Sequence, residues 1–109
     1  MDLHLKGKKV FISGSTKGIG FETARLFLEE GATVIINGRT KNSVESALKL
    51  LNNDNVSGIV GDFIDESQVI NLIEQIPNDI DILVNNVGIF RGKEFKDETI
   101  EDWNDHFKV

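Results

Sequence analysis

Lys9-Val10-Phe11-Ile12-Ser13-Gly14-Ser15-Thr16-Lys17-Gly18-Ile19-Gly20 decides the fold. Its first five residues are a short apolar run that suits a buried strand. The glycines at 14, 18 and 20 form a turn, and residues 19–30 then carry a helical pattern closed by Gly31, a plausible C-cap. Strand, glycine-rich turn and helix are the setting in which such glycines bind phosphate. Gly14 permits the sharp turn, Gly18 lets the main chain approach a pyrophosphate, and Gly20 lets the helix pack close to the strand. The N–H groups and positive dipole end of the helix then face an anion. The spacing Gly-x-x-x-Gly-x-Gly differs from the common dinucleotide fingerprint Gly-x-Gly-x-x-Gly. Taken alone, it points to phosphate binding, with a plain glycine-rich strand–helix turn as the alternative.

Working outward, three more apolar runs appear: Thr33 to Asn37, a weaker one from Val56 to Val60 broken by Ser57 and Gly58, and Ile80 to Val84. Runs of this kind suit strands buried on both faces, as in a parallel sheet. Helical patterns separate them. Val44, Ala47, Leu48 and Leu51 make one apolar face, with Asn42 and Glu45 read as a capping box before it. Val69, Leu72, Ile73 and Ile76 make another, which Asp65 with Gln68 can cap and Pro77 ends. A last helix is expected from Thr99, with Ile100, Trp103 and Phe107 on one side. The alternation β-α-β-α-β-α-β-α implies a parallel sheet with helices on its faces and right-handed crossovers. No linker or internal repeat divides the 109 residues.

The fourth run continues as Asn85-Asn86-Val87-Gly88. Together with Ser13-Gly14-x-x-x-Gly18-Ile19-Gly20, in this register, the chain resembles the short-chain dehydrogenase/reductase family. That family carries Thr-Gly-x-x-x-Gly-x-Gly after its first strand and Asn-Asn-Ala-Gly after its fourth. The resemblance covers essentially the whole chain. It implies a Rossmann-type, doubly wound α/β/α fold with strand order 3-2-1-4, ending here after the fourth strand and its helix. It implies one NAD(P)-binding domain over 1–109, the N-terminal part of the family's domain. Ser13 keeps the hydroxyl of the family threonine, whereas Val87 adds two methyls where the family has alanine. By the same resemblance Asn85 and Asn86 brace the sheet and help place the adenosine ribose. Asp62, in Gly61-Asp62-Phe63, would take the adenine amino group, with the backbone N–H of Phe63 on the ring; capping of the next helix is the competing role for Asp62. The cofactor-binding set is thus Gly14, Ser15, Thr16, Lys17, Gly18, Ile19, Gly20, Arg39, Asp62, Phe63, Asn86, Val87 and Gly88.

The second strand ends Asn37-Gly38-Arg39-Thr40. NAD-binding domains place an acid about 20 residues beyond the glycine turn to take the ribose 2′-hydroxyl. Gly38 stands there instead, so no carboxylate repels a 2′-phosphate. Arg39 can make a forked, charge-assisted contact, and Lys17 adds a second positive charge. The expected cofactor is NADP rather than NAD, with two solvated surface cations as the plain alternative.

Composition narrows the classes further. A hydrophobic share of 39% and a charged share of 28% suit an ordered globular chain. The formal charge of −6 argues against a nucleic-acid partner but not against a nucleotide held by backbone N–H groups. With no cysteine there is no disulfide, thiol chemistry or cysteine-ligated metal, and His4 and His106 lack companions at metal-ligand spacing. No signal peptide or membrane span is evident, so a cytoplasmic protein, as a homo-oligomer, is expected.

The family's proton transfer uses a tyrosine and lysine in Tyr-x-x-x-Lys, a serine before them, and an asparagine that follows a valine in the helix after the fourth strand. This chain has no tyrosine and ends at Val109, where the resemblance would place that asparagine next. No catalytic residue is therefore assigned within it. The expected function is NADP-dependent hydride transfer between nicotinamide and an alcohol or carbonyl substrate, with the cofactor-binding half held here. A non-catalytic nucleotide-binding fragment is the first alternative. A methyltransferase-like domain is the second, opposed by Gly38-Arg39 where an acid is wanted.

Overall fold

The computed structural model describes residues 4–86. Four strands, β1 (Lys9–Ile12), β2 (Thr33–Gly38), β3 (Val56–Val60) and β4 (Ile82–Val84), alternate with three helices, α1 (Gly18–Glu29), α2 (Lys41–Leu51) and α3 (Glu66–Gln75). The strands form one parallel sheet in the order β3-β2-β1-β4. The chain moves outward from β1 to β2 to β3, then crosses back to lay β4 on the other side of β1. That reversal opens a crevice at the carboxyl ends of β1 and β4, the place where open α/β sheets bind ligands.

Burial follows the two-sided pattern of the strands. Val10, Ile12, Val34 and Ile36 point to one face, where they pack with Ala24 and Leu28 of α1 and Val44 and Ala47 of α2. Phe11, Ile35 and Ile59 point to the other face and pack with Leu72 of α3 and Phe63. Phe11, at the centre, is paired in register with Ile35 and Leu83 and meets the Phe63 ring edge-on at 5.6 Å between centroids.

Strand β3 is an edge strand, and the glycine that interrupts its apolar run has a packing cause. A Cβ at Gly58 would lie 2.4 Å from Cγ1 of Val44, so α2 rests directly on the strand. Helix α1 ends at a Glu30 cap followed by Gly31 with φ +87°, as the sequence pattern implied. Helix α3 is capped by Asp65, whose carboxylate accepts from the Ser67 N–H and from the Gln68 side-chain amide. It stops with Ile76 extended before Pro77, which disfavours helical backbone in the residue preceding it.

Two expectations need correction. The start of α2 is not an Asn42–Glu45 capping box. Thr40 is the N-cap, its hydroxyl accepting from the Ser43 N–H at 3.1 Å, and Asn42 lies inside the helix. A Thr-x-x-Ser pair closes the turn two residues earlier because Thr40 is the last residue with extended backbone. Strand β4 also begins at Ile82, not Ile80. Asp81 instead ties the strand start to β1, its N–H donating to the Lys9 carbonyl and its carboxylate accepting from the Lys9 N–H at 2.9 Å. The helix expected from Thr99, and its face of Ile100, Trp103 and Phe107, lie outside the described residues.

Candidate functional site

The β1–α1 turn needs its glycines for different reasons. Gly14 and Gly18 adopt φ +58° and +63°, a region that penalises a Cβ. Gly20 is a matter of space. A Cβ there would lie 2.6 Å from both Nδ2 of Asn86 and the Gly14 carbonyl oxygen. Gly20 is therefore where α1 closes on the turn and on the end of β4.

The turn is fastened from behind. The Ser15 hydroxyl donates to the Ile12 carbonyl at 2.7 Å and accepts from the Asn37 N–H at 2.8 Å, while the Ser15 N–H donates to the Asn37 carbonyl. Asn37 completes the clamp. Its Oδ1 accepts from the Gly14 N–H at 2.9 Å, and its Nδ2 donates to the carbonyls of Ile59 and Gly61 at 3.1 and 3.0 Å. One buried side chain thus joins the carboxyl ends of β1, β2 and β3. From the other side, Asn86 donates from Nδ2 to the Gly14 carbonyl at 2.9 Å, and its N–H donates to the Ser13 hydroxyl at 3.0 Å. Ser13 thus ties the end of β1 to the residues that follow β4.

These bonds shape a cleft of about 580 Å³ at the carboxyl edge of the sheet. Gly14, Thr16, Lys17, Gly18 and Ile19 line it from the turn, Gly38, Arg39, Thr40 and Ser43 from the β2–α2 junction, and Asp62, Phe63 and Asn86 from the ends of β3 and β4. Ile19 is 78% exposed above the opening. Nothing lies within 4 Å of where a Gly18 Cβ would stand, so the main chain there is open to the cleft.

Helix α1 starts differently from the others. Thr40 and Asp65 cap α2 and α3, whereas the N-cap of α1, Lys17, makes no side-chain cap and no acid sits in the first turn. The positive end of α1 is left to the cleft, an arrangement suited to an anion. Lys17 and Arg39 are both exposed there, and neither makes an ion pair among the described residues.

Two of the expected ligand residues sit behind the cleft. Ser15 is fully buried and Gly20 is buried, and both support the turn rather than line the opening. The capping role considered for Asp62 belongs to Asp65. Asp62 instead accepts from the Ile64 N–H through Oδ1 at 2.9 Å, and its own N–H donates to Oε1 of Gln68 at 2.9 Å. Val87 and Gly88 lie outside the described residues. Asn37, Thr40 and Ser43 were not anticipated at the site. Only the position of Asn37, as the polar end of an otherwise apolar strand, offered a signal.

The sequence pattern of the short chain dehydrogenase family matches residues 8–109. The chain is 46% identical to the uncharacterized oxidoreductase YvrD of Bacillus subtilis, over all of this chain and 43% of that protein. A solved short chain dehydrogenase/reductase family protein is 40% identical, with a TM-score of 0.71 over 82% of this chain and 36% of the other. A Pseudomonas aeruginosa RhlG/NADP active-site complex is 28% identical, with a TM-score of 0.68 over 77% of this chain and 36% of the other. The chain spans less than half the length of the curated relatives it matches.

Proposed function

The chain belongs to the short-chain dehydrogenase family, and from that premise we propose that residues 1–109 are a dinucleotide-binding domain that holds NADP in preference to NAD. The observation that carries the preference is the pairing of Lys17 and Arg39 at a cleft whose β2 end bears Gly38 and no acid. In this reading the α1 start and the open main chain at Gly18 take the pyrophosphate. Arg39 and Lys17 take the 2′-phosphate. Asp62 keeps one carboxylate oxygen for the adenine amino group, since Oδ1 is engaged by Ile64. Phe63 offers its backbone N–H to the ring. Asn86, Val87 and Gly88 border the ribose. Binding of NADP by a solved neighbour of the same fold lends support.

When bound, a nicotinamide would supply a hydride to a carbonyl substrate or accept one from an alcohol. The chain's own residues bind and orient. A carbonyl that accepts a hydride also needs a proton, and the family's donor is a tyrosine, which these 109 residues lack. We therefore place the donor outside them. The reading extends to a cytoplasmic homo-oligomer. No helix among the described residues is long and apolar enough to cross a membrane.

Calorimetric titration with NADPH and NADH tests the preference. One charged hydrogen bond contributes about 1.5–3 kcal/mol, so NADPH should bind roughly ten- to a hundredfold more tightly. Arg39→Asp should reverse the order. Equal affinities in the unaltered protein overturn the proposal.

A further inference from the structure

We infer that Thr16 governs cofactor choice indirectly, by holding position 38 to glycine. This inference rests on the NADP reading of the same cleft. Position 38 is where an acid would recognise a ribose 2′-hydroxyl. Gly38 has ordinary strand backbone, so conformation does not demand glycine there. Space does. A Cβ at 38 would lie 2.4 Å from Cγ2 of Thr16, and 3.0 Å from Oγ of Ser43 and Cγ2 of Val44.

The main chain behind Thr16 and Ser43 is anchored, and Val44 is buried in the core. Thr16 follows Ser15, whose hydroxyl and N–H are both bonded within the sheet edge, and the Gly14 N–H is held by Asn37. Ser43 is held by Thr40, its N–H and Oγ bonding the Thr40 hydroxyl and carbonyl. The Thr16 methyl is therefore the first obstacle to a side chain, and so to a carboxylate, at 38, with Ser43 and Val44 in tight contact behind it. Thr16 is a positioning residue for specificity. Arg39, one residue on, is exposed and lies outside that contact. A single substitution can thus place an acid at 39, whereas an acid at 38 needs a second change at Thr16.

The test is a double-mutant cycle read two ways. Thermal melts without cofactor compare the unaltered protein, Gly38→Ala, Thr16→Ser and the pair. Gly38→Ala should lower the melting temperature by about 5 °C or more, and Thr16→Ser, which removes the clashing methyl, should restore most of that loss. Calorimetry then compares Gly38→Asp with Thr16→Ser/Gly38→Asp. Gly38→Asp alone should bind both cofactors at least about tenfold more weakly, and the pair should favour NADH over NADPH by about tenfold. Additive melts, or a Gly38→Asp protein of unaltered stability that prefers NADH, overturn the role of Thr16. Equal NADPH and NADH affinity in the unaltered protein overturns the NADP reading instead and leaves the melts to decide the packing.

Discussion

Asn37 concentrates more of the site's geometry than any other residue of the cleft. It is 2% exposed, and its side chain accepts one hydrogen bond and donates two. A buried polar group left without its partner costs about 1–3 kcal/mol. Asn37→Ala should destabilise the fold by about 2–3 kcal/mol on that basis. Asn37→Asp is the sharper test. A carboxylate can still accept from the Gly14 N–H but cannot donate to the Ile59 and Gly61 carbonyls, so at neutral pH it should be no more stable than the alanine variant. Urea denaturation decides it, and an Asn37→Asp protein as stable as the parent would contradict the clamp. The sequence concealed this residue because a polar side chain at a strand end looks the same whether it is solvated or buried. Gly38 was legible only in part. Its lack of a carboxylate was legible, but the approach of a Thr16 methyl, 22 positions earlier, is a contact that no local pattern encodes.

At the scale of elements, strands and helices were legible because their apolar periodicity is set by which faces are buried. The caps were less so, since Thr40–Ser43 and Asn42–Glu45 are both plausible starts and only the backbone angles choose between them. The α3 cap was read correctly, and it predicts a pH dependence. Hydrogen bonds from the Ser67 hydroxyl first, then from Gln68 and the Ser67 N–H, hold the Asp65 carboxyl below its usual range. A carboxylate lowered in the folded state adds stability that is complete above its unfolded pKa, near 4. That stability is lost as pH falls through the lowered folded value. Asp65→Asn keeps a good N-cap without a titrating charge. The melting-temperature difference between parent and variant should therefore be constant near neutrality and shrink below about pH 4. A difference that stays constant into acid would show that the Asp65 charge contributes nothing to the α3 start.

Over the whole molecule, the β3-β2-β1-β4 order agrees with what the paired motifs implied, because both lie where the chain reverses direction across the sheet. The last of the expected apolar faces, at Ile100, Trp103 and Phe107, is outside the described residues, as are Val87 and Gly88. A prediction for the 109 residues as a unit follows from separating binding from proton transfer. The clamp at Asn37, the uncapped α1 and the two cations all lie within the 109 residues and, in the proposed reading, supply the main contacts to a dinucleotide. Reduction of a carbonyl needs a proton on the nascent alkoxide as well. General acid catalysis is worth about 10²–10⁴-fold, and substrate orientation about 7–11 kcal/mol. With no tyrosine in the sequence, the first is absent in the form the family uses. Expressed by themselves, these residues should therefore bind NADPH, seen as a change in its fluorescence, yet fail to oxidise it with any of a panel of ketones and aldehydes. The same assay on a longer protein that adds the family's Tyr-x-x-x-Lys should restore turnover. NADPH oxidation by the 109 residues that survives purification and scales with their concentration would mean that a group within them donates the proton, and would undo the division of labour proposed here.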